Sequence, residues 1–300
     1  VRPDVFVGID APDFNLGLEI KLRRAGIRTA QYVSPTVWAW RQGRVRKIRR
    51  AADLVMCLFP FEPGFYSRHD VAATYVGHPM ADQIECDDNP GAAREALGLD
   101  PESTTVALLP GSRASEVGLL AGPMIEAAAL LRAHRPALQF VSAMANEQAE
   151  TLFARAMHGS ACPDIELIQD RPRLVMAAAD VVICASGTAT LETMLVNRPM
   201  VMAYRVARPT YLMAKYLKLI RPQMFALPNI LAGEPLIPEL MQDQATGENL
   251  AREALRWLDN PQETEAVRRR FDDLHTQLRC DASARAAEAV AGLMTSKRGE

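Results

Sequence analysis

Apolar and polar positions along the chain follow two patterns in turn. Short, nearly continuous apolar runs bounded by Gly, Pro, Asp and Asn predict buried strands. Longer stretches with apolar residues three and four apart predict helices. Residues 5–9 form the first apolar run, of the kind expected for a strand inside a parallel sheet with neighbours on either side. Asp10-Ala-Pro-Asp-Phe-Asn15 then reads as a turn into a helix that runs to about Arg24 and stops at Gly26. Further strands are predicted at 28–33, 54–59 and 72–76, with a helix over 38–50 and a short one over 62–68.

Gly77-His-Pro-Met-Ala-Asp82 and the polar stretch through Asn89-Pro90-Gly91 lose all periodicity and read as a linker. A second strand-and-helix series follows. Strands are predicted at 104–109, 138–141, 165–168, 181–184 and 200–204, a long helix at 115–134, and three closing helices at 248–258, 261–279 and 281–294. Such alternation on both sides of a linker implies an α/β protein of two doubly wound, Rossmann-like domains facing each other across a cleft. The expected division is a first domain at 1–82, a second at 83–280, and a last helix at 281–300 returning to the first. In such sheets ligands sit at the carboxyl ends of the strands.

Bulk properties narrow this little. The 300 residues are 49% hydrophobic and 23% charged, ordinary for a globular chain, and the formal net charge of −2 gives no case for nucleic-acid binding. The five cysteines, Cys57, Cys86, Cys162, Cys184 and Cys280, show neither a CxxC pair nor zinc-ligand spacing, as expected in a reducing compartment. Cys57 and Cys184 lie in apolar runs and read as core residues. No metal site is expected. Asp180 interrupts the longest apolar candidate for a bilayer span, and the start carries no signal-peptide pattern, so a cytoplasmic setting is the default expectation.

Two strand-to-helix turns carry candidate chemistry. In Val181-Val-Ile-Cys-Ala-Ser-Gly-Thr-Ala-Thr-Leu-Glu192, the small residues Ser186, Gly187, Thr188 and Ala189 let a diphosphate approach the N–H groups of a helix N-terminus. Glu192, one turn on, is placed to accept from a ribose hydroxyl. The bland reading of this turn is a plain helix cap. In Leu109-Pro-Gly-Ser-Arg113, Gly111 permits an unusual φ, Ser112 suits a cap and Arg113 offers a planar cationic fork. Alone it reads equally as a surface arginine after a capping serine. Together the two turns favour a shared anionic ligand.

Four other features stay open on the residues alone. Asp10 ends a buried strand and reads either as a base for a hydroxyl or as a helix cap, with Asp13 and Asn15 the better capping pair. Trp38-Ala-Trp40-Arg41-Gln-Gly-Arg44-Val-Arg46-Lys47-Ile-Arg49-Arg50 holds six cations in the ten residues from Arg41, after two indoles. It reads equally as a patch for anionic lipid headgroups and as a solvated basic face. Asn229 either reaches a ligand or holds its turn. His78 belongs to a cleft or, slightly better, to the linker, while His69, His134, His158 and His275 read as surface residues.

The assembled set resembles the lipid-A-disaccharide synthases, glycosyltransferases of the twin-Rossmann GT-B type. The resemblance rests on Gly8-Ile-Asp-Ala-Pro-Asp-Phe-Asn15, Tyr32-Val-Ser-Pro-Thr-Val-Trp-Ala-Trp-Arg41, Phe61-Glu62, Gly77-His-Pro-Met80, Leu109-Pro-Gly-Ser-Arg113, Ala185-Ser-Gly-Thr-Ala-Thr-Leu-Glu192 and Pro228-Asn229. These run the length of the chain in the family's order. The resemblance implies an inverting, metal-free transfer from UDP-2,3-diacylglucosamine to 2,3-diacylglucosamine 1-phosphate (lipid X), giving a β(1→6) disaccharide and UDP, with no cofactor. It implies that Asp10 is the base, that Arg113, Glu192 and Asn229 belong to the donor site, and that Ser186–Ala189 is the phosphate loop. It also gives the segment with Trp38, Trp40, Arg41, Arg44 and Lys47 a role at the cytoplasmic face of the inner membrane. A homodimer is compatible with it.

The family pattern begins upstream of Val1 with further strands and a Gly-Glu-x-Ser-Gly-Asp loop. The expectation is therefore a first domain truncated at its N-terminus, a complete nucleotide domain, and disaccharide formation that needs the upstream segment. The competing readings are another GT-B enzyme, such as a UDP-N-acetylglucosamine 2-epimerase or a transferase of peptidoglycan synthesis, and a UDP-binding remnant without activity. The Trp-Ala-Trp-Arg segment is not expected in those other enzymes.

Overall fold

The computed structural model describes residues 2–37, 42–85, 89–158, 164–207 and 224–295. The chain divides into two compact units: Val1–Gln83 with His275–Glu300, and Ile84–Lys218 with Gln223–Leu274.

In the first unit, β1 (Val5–Ile9), β2 (Arg28–Tyr32), β3 (Leu54–Cys57) and β4 (Ala73–Tyr75) form a parallel sheet in chain order. The connecting helices are α1 (Pro12–Arg24), α2 (Val45–Ala51) after a 3-10 turn at Gln42–Arg44, and α3 (Glu62–Ser67), with α4 (Pro79–Gln83) after β4. Pro12 lies in the first turn of α1, where a missing N–H costs nothing, and Gly26, at φ 82°, ends the turn after it. Leu16, Ile48, Val55, Cys57, Phe65 and Tyr66 pack one face of the sheet. On the other face Ala30, Met56, Leu58 and Val76 are met by Ala286, Ala289, Val290 and Leu293 of the helix Ala282–Thr295. The Asp82 carboxylate anchors that helix, accepting from the N–H groups of Cys280, Asp281 and Ala282 at 3.0, 2.9 and 2.7 Å.

In the second unit, β5 (Thr105–Leu109), β6 (Gln139–Met144), β7 (Ile165–Gln169), β8 (Val181–Ala185), β9 (Met200–Tyr204) and β10 (Glu239–Met241) form a parallel sheet ordered β10-β9-β8-β5-β6-β7. Its helices are α5 (Pro90–Ala96), α6 (Ala114–His134), α7 (Glu147–Met157), α8 (Pro172–Ala178), α9 (Thr188–Leu195), α10 (Leu227–Ala232), α11 (Gly247–Asp259) and α12 (Pro261–Leu278). Every position of β5 and β8 is buried, as strands flanked on both sides and covered on both faces must be. Each buried Val, Leu or Ile there contributes about 1.5–3 kcal/mol.

Several expectations change. Among the described residues β1 pairs with β2 alone, and Ile9 is 66% exposed. The 77–91 stretch is not a plain linker: it contains α4 and the start of α5, where the Asn89 side chain accepts from Gly91 N–H and Pro90 opens the helix. The Arg94 guanidinium in α5 is buried against Asp180 at 2.6 Å. His275 is buried, not a surface residue, with Nε2 2.8 Å from the Ala81 carbonyl. Buried His78 stacks on Phe59, and desolvation pushes its pKa down to about 4, so the ring is neutral. Cys57 and Cys184 are buried and unpaired, and burial pushes the Cys184 thiol up to about 12.

By length and composition α6 is apolar enough to cross a bilayer, a candidate the apolar-run reading passed over. It buries Val117, Leu120, Met124, Ile125 and Leu131, the pattern of a core helix.

Candidate functional site

The sheet of the second unit changes direction at its centre. From β5 the chain moves outward to β6 and β7, then returns to place β8 on the other side of β5 before continuing to β9 and β10. Leu109 and Cys184 are paired in register at the carboxyl ends of these neighbouring strands. The turns that follow, Pro110–Arg113 and Ser186–Thr188, therefore start side by side. This is the topological switch point at which parallel sheets bind ligands.

Each turn is shaped by a glycine. Gly111 has φ 108°, and a Cβ there would lie 2.6 Å from Glu116 Oε2. Ser112 does not cap α6. Arg113 occupies the N-cap position instead, and Glu116, three residues on, turns back to it with a 2.7 Å ion pair. The remaining fork of Arg113 faces solvent. Asn146 donates to the Ser112 carbonyl at 3.4 Å and caps α7 through Ala149 N–H at 2.9 Å, tying a third turn to this one.

Gly187, at φ 130° and ψ −150°, is the N-cap of α9. No side chain caps this helix, and its first turn carries no acid. Thr190 Oγ1 secures the turn by donating to the Gly187 carbonyl at 2.8 Å. Thr188 is exposed, with Ser186 and Ala189 half-buried beside it. One turn presents the positive end of a helix dipole and the turn after the neighbouring strand carries a guanidinium, a combination that suits a diphosphate. Glu192 is half-buried, 3.5 Å from Arg173 Nε. Glu116, Asn146 and Arg173 were not among the predicted site residues. Only Glu116 left a trace in the sequence, as an acid three residues after a helix start.

Asn229 is engaged by its own loop and is 1% exposed. Nδ2 donates to the Ile237 carbonyl and to Glu239 Oε1 at 3.0 and 2.8 Å. Oδ1 accepts from Leu236 and Ile237 N–H at 2.8 and 2.9 Å. Those bonds use the full donor and acceptor capacity of its side-chain amide, so that side chain holds the loop. Glu239 completes the loop by accepting from Phe225 and Ala226 N–H ahead of α10.

In the first unit, Asp10 follows β1 with φ 48° and Ala11 has φ 38°, two consecutive non-glycine residues in the left-handed region. The carboxylate of Asp10 is exposed while its backbone is held on three sides. Its N–H donates to the Tyr32 carbonyl at 2.9 Å, and its carbonyl accepts from Asn15 Nδ2 at 2.8 Å and Gln31 Nε2 at 3.1 Å. The expected capping pair is corrected: Ala11 is the N-cap of α1, without a side-chain cap. Asp13 is instead paired with Arg44. Asn15 reaches back to the strand end.

Trp38, Trp40 and Arg41 lie outside the described residues. Arg44 is taken by Asp13, and Lys47 is half-buried. The outward cations are others: Arg46, Arg49 and Arg50 of α2 line a groove with Ile20, Arg23 and Arg24 of α1. Phe14, on the same helix α1, is 72% exposed. Among the described residues no three His, Cys, Asp or Glu side chains are grouped to hold a metal ion.

Comparison with known proteins gives the family and the fold. The family model described as Lipid-A-disaccharide synthetase matches residues 1–290. A lipid-A-disaccharide synthase of Xanthomonas campestris pv. campestris (strain 8004) is 51% identical over 298 residues, covering 99% of this chain and 68% of that protein. Among solved structures, the UDP-GlcNAc 2-epimerase from Neisseria meningitidis bound to UDP-GlcNAc is similar with TM-score 0.65 and 10% identity, over 97% of this chain and 76% of that one. The calicheamicin glycosyltransferase CalG4 is similar with TM-score 0.62 and 14% identity, over 99% of this chain and 75% of that one. These two likenesses show the fold, that of GT-B glycosyltransferases and epimerases. With the sequence match along nearly its whole length, the chain belongs to the lipid-A-disaccharide synthase family of glycosyltransferases.

Proposed function

We propose that the protein joins UDP-2,3-diacylglucosamine to 2,3-diacylglucosamine 1-phosphate through a β(1→6) linkage, with inversion and without a metal. The observation that supports this most is the pairing of the Gly111–Arg113 and Ser186–Thr188 turns at adjacent strand ends. A diphosphate held there meets the Arg113 fork and the α9 N-terminus, which stabilise negative charge on the leaving UDP. The acceptor 6-hydroxyl gives its proton to Asp10 as its oxygen bonds to the anomeric carbon. The bond from that carbon to the UDP oxygen breaks on the opposite face, which inverts the centre. Glu192 accepts from the ribose in this reading.

The test is isothermal calorimetry with UDP, followed by a disaccharide assay with both lipids. UDP binding with disaccharide formation supports the proposal. Binding with epimerisation of UDP-N-acetylglucosamine in its place would move the chain to the epimerase reading.

We propose further that the first unit rests on the anionic cytoplasmic face of the inner membrane. Arg24, Arg46 and Arg50 supply the cations, each worth about 1 kcal/mol near such a surface, while Arg23 and Arg49, in the same groove, are paired with Asp53 and Asp70. Flotation with phosphatidylglycerol vesicles, and none with phosphatidylcholine, is the expected result. Equal flotation with both would remove the electrostatic reading.

A further inference from the structure

Glu19 and Gln31 are both 0% exposed, and their side-chain oxygens border the same point above Gly8. Glu19 Oε1 and Oε2 and Gln31 Oε1 all lack a hydrogen-bond partner among the described residues. Glu19 Oε1 and Gln31 Oε1 lie 2.3 and 3.0 Å from the point where a Cβ on Gly8 would sit. Turning the Gln31 amide over cannot relieve the conflict. Its Nε2 faces the carbonyls of Asp10, Tyr32 and Val33 at 3.1, 3.1 and 3.3 Å, so a reversed amide would set an oxygen against three others. An ionised carboxylate here would be a buried, unpaired charge, a costly state. One proton resolves the arrangement.

We propose that Glu19 is a neutral carboxylic acid whose hydroxyl donates to Gln31 Oε1, and that it thereby acts as a positioning residue for Asp10. The inference rests on the reading of Asp10 as the base. The Gln31 amide has one end on the Asp10 carbonyl, and the Glu19 proton fixes the other end. The turn it steadies has two residues in the left-handed region, a conformation that persists only where its surroundings over-determine it. Ionised Glu19 would repel Gln31 Oε1, rotate the amide and release the Asp10 carbonyl.

Burial raises the Glu19 pKa to about 7, consistent with a proton retained in the acid and neutral range. Gln31 from β2 and Asn15 from the same helix as Glu19 border the point above Gly8 that Glu19 Oε1 also approaches, and neither ionises. Arg23, one turn along α1, is held by Asp53 at 2.8 Å and by the Arg49 carbonyl at 2.7 Å. Gly8 is required because any side chain would occupy the place of the carboxyl.

The experiment compares the wild-type full chain with E19Q, E19L and D10N. Infrared difference spectra of wild type against E19Q near pH 6 are expected to show the carbonyl stretch of a protonated carboxylic acid. Wild-type kcat should fall as pH rises through about 7. E19Q, which keeps a donor at this point, should lose that limb and restore turnover relative to E19L. E19L should lower kcat about tenfold or more with UDP affinity unchanged.

No infrared band in the wild type, or an E19Q profile that falls as the wild type does, overturns the proposal. If E19L fails to fold, the band and the E19Q profile still decide. Retained turnover in D10N would remove the base reading alone, since the band is read without turnover.

Discussion

The Arg113 guanidinium meets the Glu116 carboxylate at 2.7 Å, one turn into the helix that Arg113 begins. Arg113 is 77% exposed, and an exposed pair of this kind is worth at most about 1 kcal/mol. A diphosphate can therefore displace Glu116 cheaply. Arg113→Ala is expected to weaken UDP binding by about 1.5–3 kcal/mol, the value of a hydrogen bond to a charged group, or roughly tenfold or more. Glu116→Gln should change it by less than about fivefold. Calorimetry on the two variants checks both values, and equal losses would remove Arg113 from the site.

Gly187 isolates a backbone effect. Its φ of 130° and ψ of −150° belong to a region essentially restricted to glycine, yet a Cβ there would have nothing within 4 Å. Gly187→Ala is thus a test of strain without a clash. It should cost about 1–3 kcal/mol of stability and weaken UDP binding as the turn moves off its path. A thermal melt and a UDP titration of the same sample are the measurements. An unchanged affinity would show that the α9 N-terminus does not hold the phosphate.

Arg94 and Asp180 make the ion pair that ties α5 to the sheet of the second unit. Arg94 also donates to the carbonyls of Ala178 and Pro101 at 2.9 and 3.0 Å, and Asp180 accepts from Thr105 N–H at 2.7 Å. Removing one partner leaves the other in a poor environment. Arg94→Ala should cost roughly 3 kcal/mol, at the lower end for a buried pair because Asp180 is partly exposed. Urea unfolding checks the loss. A change below about 1 kcal/mol would mark the pair as a surface one.

Two neutral groups in the first unit give opposite pH slopes. Desolvation lowers the His78 pKa to about 4 from 6.5, so the folded form binds a proton less readily than the unfolded form. Its stability contribution is complete above about pH 6.5 and is lost as pH falls towards 4. Desolvation raises Glu19 to about 7 from 4.5, so its contribution is complete below about 4.5 and lost as pH rises through 7. Between 4.5 and 6.5 the two largely cancel. E19Q should uncover a rise in stability with pH across that window, and His78→Gln a fall. Each slope is at most about 1.4 kcal/mol per pH unit, one proton's worth. Parallel profiles in the two variants would contradict both assignments.

The residues that showed in the sequence are those whose evidence is local. Val181 to Cys184 is apolar throughout because it is flanked on both sides, and the small residues after it mark a helix start. The helix start at α5 was also there to read, since Asn89 and Pro90 are a cap followed by a first-turn proline. Set within a polar stretch, they read as part of a linker. Asn229 could not be placed, because the groups that engage it, Leu236, Ile237 and Glu239, follow at no recognisable spacing. Three-residue β10 is too short to show alternation. Glu19 defeats the pattern altogether: a carboxyl on a helix normally marks the wet face, and only the structure shows the space beneath Gly8 that admits it.

The helix Ala282–Thr295, which covers Met56, Leu58 and Val76, has a consequence for synthesis. On the ribosome, β1 to β4 emerge well before the residues that cover one face of their sheet, which start at Ala286, roughly 210 positions after β4. At about 5–20 residues per second, that face waits about 10–40 seconds for its cover. The second unit needs no late-arriving piece and can fold in the meantime. The first unit is thus finished after the second, and its open sheet face is where a nascent chain would need a chaperone.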